Sequence, residues 1–513
     1  MRGIIGRLVL LAWLGALGWL AWRQLSNTQP VPKAGLPWLV PPGASFLAVT
    51  VGDSQMGVSS VIVDTGEAGL RLDELMRLDP IPGYGAPSRQ VVKVSSRLTR
   101  DFRLRSWTGS VTERLTVTTT DGTISDDTLL TVIRTSNNGE SDTLRQRIDG
   151  PVLPPGAIGL RLAARREVHI GDTLQVQVFD HVDLSSRLRL ETVAAESTFI
   201  VPDSVVGDSA RDRWAIARYD TVHAWRLDAV EDGQPIRRWI DPNGLPVRVW
   251  TPLGVTQERG VYEILAINYR IERGLRPKPV TADPVPARLD TLPPTRPAEG
   301  SRSFLLGLWG GGTLPAQPIP ALGEGSQQLF GDTVVVGSGA RALARRGRDT
   351  LDALGDELLV PLRDSSIVAT ARSVVGSESD RAVAAAHLVA WLAKNIKPIP
   401  GDAVTLRSPR RTLQTKEGDG RARLLLFLAM ARSAGIPARS VSGFIAVPGG
   451  YRYHDWAEVY ASGWIAVDPA LGQPLADPGR IRLVTGRLGR ESDQVWRLGA
   501  LRPQPIAGGG PRP

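Results

Sequence analysis

From Leu36 to about Arg273 apolar and polar positions alternate in short runs rich in Val, Thr and Ile, the period of strands that bury one face. Thr173 to Phe179, Arg187 to Thr192 and Val261 to Tyr269 are the clearest runs, and Asp121-Gly122, Asp232-Gly233 and Asn243-Gly244 read as hairpin turns. The pattern predicts an antiparallel, β-rich region over 36–273 with no helix of useful length. Residues 274–300 are dense in proline, among them Pro277, Pro279, Pro284, Pro286, Pro293, Pro294 and Pro297, and predict a stiff, extended linker. A second stretch of β type over 301–365 carries Gly310-Gly311-Gly312 and a strand-like Thr333 to Val336, as a small domain or an embellishment of the next one.

The period then changes. Between Asp380 and Ile396, Ala384, Leu388, Trp391 and Asn395 recur at helical spacing, and Pro398 ends the run. His387 sits beside that face, as packing. A second helix opens at Asp419, a good N-cap, passes through Leu424, Leu425, Phe427, Leu428 and Ala431, and stops at Gly435-Ile436-Pro437. Its broad apolar surface predicts a core helix. Three strands follow, Ser440 to Val447, Tyr451 to Tyr460 and Trp464 to Val467, joined by Pro448-Gly449-Gly450 and Ala461-Ser462-Gly463. A core helix followed by an antiparallel meander gives an α+β domain over 366–490, and 491–513 reads as a partly disordered tail.

At the other end, Arg2 and Arg7 precede an apolar stretch from Leu8 to Trp22 that Arg23 closes. Residues 1–30 read as an uncleaved signal anchor, a single transmembrane helix whose Trp13, Trp19 and Trp22 suit the interface. The basic flank places the amino terminus in the cytoplasm and the rest of the chain outside it, in a bacterium the periplasm or cell surface. The membrane is therefore one expected partner.

Composition narrows the chemistry. At 513 residues, with 42% hydrophobic and 22% charged residues, the chain should fold into more than one mostly soluble domain. The formal charge of +9 comes from arginines scattered among nearly as many acidic residues. No basic run with interleaved aromatics appears, which argues against nucleic acid as a partner. The chain has no cysteine, so disulfides, thiolate metal sites and a thiol nucleophile are excluded. His169, His181 and His223 lack histidine or acidic neighbours at metal-ligand spacing and read as partly exposed strand or loop residues. No metal or cofactor is implied.

The C-terminal segments carry a specific constellation: Gly418-Asp419 at a helix start, Gly435-Ile436-Pro437-Ala438-Arg439 at its end, the strand Tyr453 to Tyr460 that reads YHDWAEVY, and Gly463-Trp464-Ile465-Ala466-Val467-Asp468-Pro469. Together these resemble the transglutaminase-like family of the papain-like cysteine-enzyme class. The resemblance implies a cysteine after the Gly-Asp pair, a histidine opening the next segment and an aspartate before the final proline. Those positions fall on Gly420, His454 and Asp468. The logic of such a triad is physical: a thiol in the first helical turn is acidified by the helix dipole, an imidazole takes its proton, and a carboxylate orients the imidazole. Gly420 supplies no side chain, and the nearby hydroxyls of Thr412 and Thr415 precede the helix and lack its dipole. Trp456 and Glu458 are the candidate binding residues. The expectation is a catalytically inactive relative whose cleft binds an extended peptide or cell-envelope polymer. Two alternatives are an amide hydrolase or peptidase of altered mechanism using His454 and Asp468, and a scaffold or assembly protein acting through the β-rich region.

Overall fold

In the computed structural model the described residues are 40–272 with breaks, the longest at 80–88, the strands 302–308, 327–330, 333–336 and 501–505, and 353–486 with breaks, the longest at 400–406. The proposed anchor and the proline-rich linker lie outside them. Among the described residues no helix is long and apolar enough to cross a membrane.

The alternating N-terminal pattern forms one 14-stranded antiparallel sheet. Its strands are β1 (Gly43–Val51), β2 (Ser54–Gly66), β3 (Gly69–Leu78), β4 (Gln90–Leu98), β5 (Leu104–Glu113), β6 (Thr116–Ser125), β7 (Leu129–Ser136), β8 (Ser141–Arg147), β9 (Thr173–Asp180), β10 (Ser185–Asp208), β11 (Arg213–Glu231), β12 (Gln234–Ile240), β13 (Pro246–Trp250) and β14 (Val255–Gly260). The spatial order runs β8 to β1 and then β14 to β9, so β8 and β9 are the edges and β1 pairs with β14. One face buries Leu72, Val94, Leu104, Trp107, Val132 and Val178. Against it lies a short helix, α1 (Ala157–Ala163), buried at Ala157, Ile158, Gly159, Leu160 and Leu162.

Four expectations for this region are corrected. Asp121-Gly122 lies inside β6 rather than at a turn, because the Trp107 indole lies over Gly122, where a Cβ would come within 2.1 Å of the ring. The bend between β6 and β7 is made by Asp126 and Asp127, at φ 51° and 53°. Val261 to Tyr269 is not a strand: Glu263–Asn268 is a π-helix continuing into one α-helical turn, Tyr269–Glu272. Asn268 fixes it there, its amide Oδ1 accepting from the Trp214 N–H at 2.9 Å and its Nδ2 donating to the Trp214 carbonyl at 2.7 Å. A helix, α1, does interrupt the strands. Finally, His181 is buried, edge-on to Trp107 and Phe179, with Nε2 3.2 Å from the Ser96 hydroxyl. Burial pushes its pKa down to about 3. Asn243-Gly244 is a turn as expected, with Gly244 at φ +83°, a region that favours glycine.

A small antiparallel sheet follows, formed by β15 (Arg302–Leu308), β16 (Gln327–Phe330) and β17 (Thr333–Val336). The segment read as a tail contributes its fourth strand, Leu501–Pro505, paired with β15.

The C-terminal domain begins with α2 (Ser365–Val375) and α3 (Arg381–Asn395), capped by the side chains of Asp364 and Asp380. Next come α4 (Pro409–Thr415), with N-cap Ser408, and α5 (Gly420–Ser433), with N-cap Asp419. Two-residue strands, β18 (Lys397–Pro398) and β19 (Glu417–Gly418), pair in parallel just before α5. The antiparallel sheet is ordered β22 (Trp464–Val467), β21 (Gly450–Tyr460), β20 (Ala438–Val447), β23 (Ile481–Gly486). Residues Ala422 to Arg432 of α5 are all buried, which explains why its apolar positions do not keep to one stripe. This is the helix-and-sheet arrangement that the sequence predicts for the domain.

Candidate active site

The first turn of α5 is built by its cap. The Asp419 carboxylate accepts from the Ala422 N–H at 2.7 Å, satisfying one of the free donors of a helix start. Gly420 is the first helical residue and is half-buried. The next turn ties the helix to the sheet: Arg421 Nε lies 3.6 Å from Asp455 Oδ2, and Arg423 Nη1 donates to the Ala470 carbonyl at 2.7 Å. Asp455 follows His454, and Ala470 follows Asp468-Pro469. The start of α5 is thus tied to the segments that carry His454 and Asp468.

On β21 the side chains alternate. Ala457 and Val459 belong to the core that includes α5, whereas Trp456 packs with Val441 and Ile445 in a separate cluster. His454 shares the phase of Trp456, and its Nε2 meets Asp468 Oδ2 at 2.8 Å, with both residues buried. The other Asp468 oxygen accepts from the Leu471 N–H at 2.9 Å. Burial alone would raise the Asp468 carboxyl, but His454 and Arg480 outweigh it and hold the pKa at about 2.

Arg480 is the residue that motif reading does not find. Its Nη2 lies 2.8 Å from Asp468 Oδ2 and 2.6 Å from Gln473 Oε1, and its guanidinium sits 5.4 Å from the centre of the Trp456 ring. The carboxylate that would orient and support an imidazolium is therefore shared with a permanent cation. No local spacing signals it, since Arg480 lies just before β23 and reaches Asp468 through a tertiary contact. The candidate binding residues sit inside the fold. Trp456 is 1% exposed. Glu458 accepts from Arg439 Nη2 at 2.7 Å and Arg482 Nη1 at 2.6 Å. Although burial opposes it, these two cations hold the Glu458 pKa below its usual value.

The two hydroxyls considered from the sequence, Thr412 and Thr415, are both engaged with backbone carbonyls. Thr412 Oγ1 donates to the Ser408 carbonyl at 3.1 Å and Thr415 Oγ1 to the Arg411 carbonyl at 3.0 Å, both within α4. Among the described residues no group of three or more His, Asp or Glu side chains could hold a metal ion. The site thus holds a buried imidazole–carboxylate pair, and the first helical residue of α5, Gly420, offers only backbone.

A core helix whose capped N-terminus meets a His strand and an Asp strand defines the architecture of papain-like cysteine enzymes. Residues 368–469 match the family model of the transglutaminase-like superfamily, so this part of the chain is a transglutaminase-like domain. No curated protein matches the chain. Among solved structures, a cysteine-protease candidate from Cytophaga hutchinsonii is similar at 14% identity over 40% of this chain and 83% of its own, with a TM-score of 0.26. A β-barrel-like domain of unknown function from Brucella abortus is 12% identical over 42% of this chain and 95% of its own, with a TM-score of 0.27. A Pseudomonas aeruginosa protein of another uncharacterised family is 11% identical over 43% and 95%, with a TM-score of 0.21. Scores at that level fix neither fold nor activity.

Proposed function

We propose that the chain is a non-catalytic transglutaminase-like protein, tethered outside the cytoplasm by its N-terminal apolar segment, whose ligand contacts are made by the β-rich region. The observation that carries the non-catalytic reading is Gly420: the first turn of α5 has no side chain where the chemistry needs a thiolate. Loss of an essential nucleophile costs a factor on the order of a million in turnover. Retention of His454 and Asp468 does not argue for activity, because a buried, hydrogen-bonded pair contributes to the fold on its own account.

The burial of Trp456 and the double ion pair of Glu458 favour ligand contact elsewhere. An open groove of about 500 Å³ lies on the sheet face of β2 to β5, lined by Ser60, Ile62, Asp73, Leu75, Lys93 and Thr108 among others. Strand register puts Ser60, Leu75, Lys93 and Ser110 in one cross-strand row and Ile62, Asp73, Ser95 and Thr108 in the next. Hydroxyls and opposite charges around two apolar side chains suit an extended peptide or a cell-envelope polymer.

The test has two arms. The parent protein should release no product from a panel of peptide amides; turnover that His454→Ala abolishes would establish a hydrolase of altered mechanism instead. Binding of envelope-derived peptides or glycan fragments should weaken on Asp73→Ala with Lys93→Ala and stay unchanged on His454→Ala. The opposite pattern would return the ligand to the cleft.

A further inference from the structure

We propose that the mouth of the degenerate site, the N-terminal turns of α4 and α5, is a docking surface occupied by the chain's own β-rich region and not an entrance for substrate. The inference stands apart from the non-catalytic reading, since it concerns access to position 420 and not the atoms there.

The contacts come from β7, β8 and the turn between them. β8 is an edge strand of the large sheet, and an open edge exposes backbone that proteins commonly cover or guard with charge. Glu140, just before β8, meets Arg407 Nη2 at 2.7 Å. Asp142 Oδ2 accepts from the Ser408 N–H at 3.2 Å. Ser408 is the N-cap of α4, where a carboxylate is favoured by the exposed N–H groups and the dipole. Arg134 stands directly opposite Asp142 in the β7–β8 register and is 6% exposed.

Arg134 carries the contact across to α5. The charges that act on its guanidinium are Asp142 from its own sheet and Asp419 and Arg421 from the C-terminal domain. Asp419 and Arg421 flank Gly420 on either side. The β-rich region therefore contacts the start of α4 directly and holds Arg134 near the charged residues on either side of position 420 at the start of α5. Polar contacts cross between the regions, Arg407 to Glu140 and the Ser408 N–H to Asp142, and each side braces its own charges, Arg134 with Asp142 at 4.0 Å and Arg421 with Asp455 at 3.6 Å. An extended substrate approaching the first turn of α5 from this side would have to displace them.

Because the chain has no cysteine, a single introduced thiol reports access without background. In the full chain, Gly420→Cys and, as an exposed reference on α3, Ala390→Cys are timed against a polymer-linked maleimide. Gly420→Cys should react about tenfold or more slowly than the reference, as expected where labelling waits on local opening. Adding Glu140→Ala with Asp142→Ala should speed Gly420→Cys by about tenfold and leave Ala390→Cys unchanged. Should that combination fail to fold, charge exchange decides: Arg407→Glu should speed labelling, and Arg407→Glu with Glu140→Arg should slow it again. Equal rates at the two thiols with the contacts intact, or rates at Cys-substituted position 420 that ignore every one of these changes, would overturn the docking surface. Peptide turnover by the parent protein would overturn the non-catalytic reading and leave this one in place.

Discussion

At Asp468 one carboxylate serves an imidazole, a guanidinium and a backbone N–H. Its folded pKa of about 2 lies below the ordinary 3.8. Its contribution to stability is therefore fully present above about pH 4 and is lost as pH falls through about 2. Arg480→Ala leaves the buried carboxylate with one cationic partner fewer and should cost about 3–5 kcal/mol at pH 7. The penalty should shrink toward pH 2.5, where Asp468 begins to protonate; urea titrations of parent and variant at both pH values check this. Glu74 behaves in the opposite sense. Burial, and next the charge of Asp180, raise its pKa from 4.5 to about 7, although the Gly156 N–H works against them. That raised value contributes stability fully below about pH 4.5, and the contribution fades as pH rises through 7. Glu74→Gln should be more stable than the parent by on the order of 1–3 kcal/mol at pH 8, with the advantage vanishing near pH 4.5. A parent stability that is flat between those pH values would contradict it.

Legibility in the sequence differed by residue for a physical reason. His454 and Asp468 could be placed because strand alternation and a short hairpin loop fix which side chains meet. Arg480 could not, since it reaches Asp468 through a tertiary contact that no local spacing encodes. Gly122 misled for a related reason: its lack of a side chain serves the Trp107 ring on the neighbouring strand and not a turn. His181 looked exposed because it follows a strand in a polar-looking segment, whereas packing against Trp107 and Phe179 buries it.

Among the elements, α3 and α5 were the most readable, since each begins at an aspartate whose side chain caps backbone N–H groups two or three residues on. The cap on α5 is also testable. Asp419→Ala should cost about 0.5–2 kcal/mol, the usual worth of an N-cap, and hydrogen exchange should quicken at Arg421 and Ala422 before the rest of α5. α1 and α4, of seven residues each, are too short to show a period. The π-helical run at Glu263 escaped notice because its mixture of Ile, Leu and Ala also fits a strand, and only the grip of Asn268 on Trp214 decides between them. Trp456 illustrates the converse problem. A tryptophan beside a candidate histidine is attractive as a binding residue, yet here it is a core side chain, and Trp456→Ala should cost about 3–5 kcal/mol without altering any ligand affinity that maps to the sheet groove.

For the molecule as a whole, the β-rich region and the transglutaminase-like domain belong to one buried apolar cluster and are also joined by a partly exposed ion pair, with Glu140 29% and Arg407 17% exposed. Such pairs are screened by salt over about 8–10 Å. Labelling of Gly420→Cys should therefore quicken between 0.05 and 0.5 M salt, taken as roughly the range over which the screening length shortens most, while the Ala390→Cys rate should stay level. The N-terminal half also has a geometric peculiarity. Its first and last strands are partners, Phe46 opposite Gly260, while its middle strands lie at the two edges. The polypeptide enters and leaves this region at adjacent ends of β1 and β14. A pull applied between the preceding segment and the following domain would thus peel those two strands apart one bonded pair at a time, and would leave the edges under no load. The same closeness of entry and exit marks the region as a candidate for circular permutation: a short loop from Gly260 to Gly43, with new ends cut at the Asp126-Asp127 bend, keeps every ladder of the sheet intact.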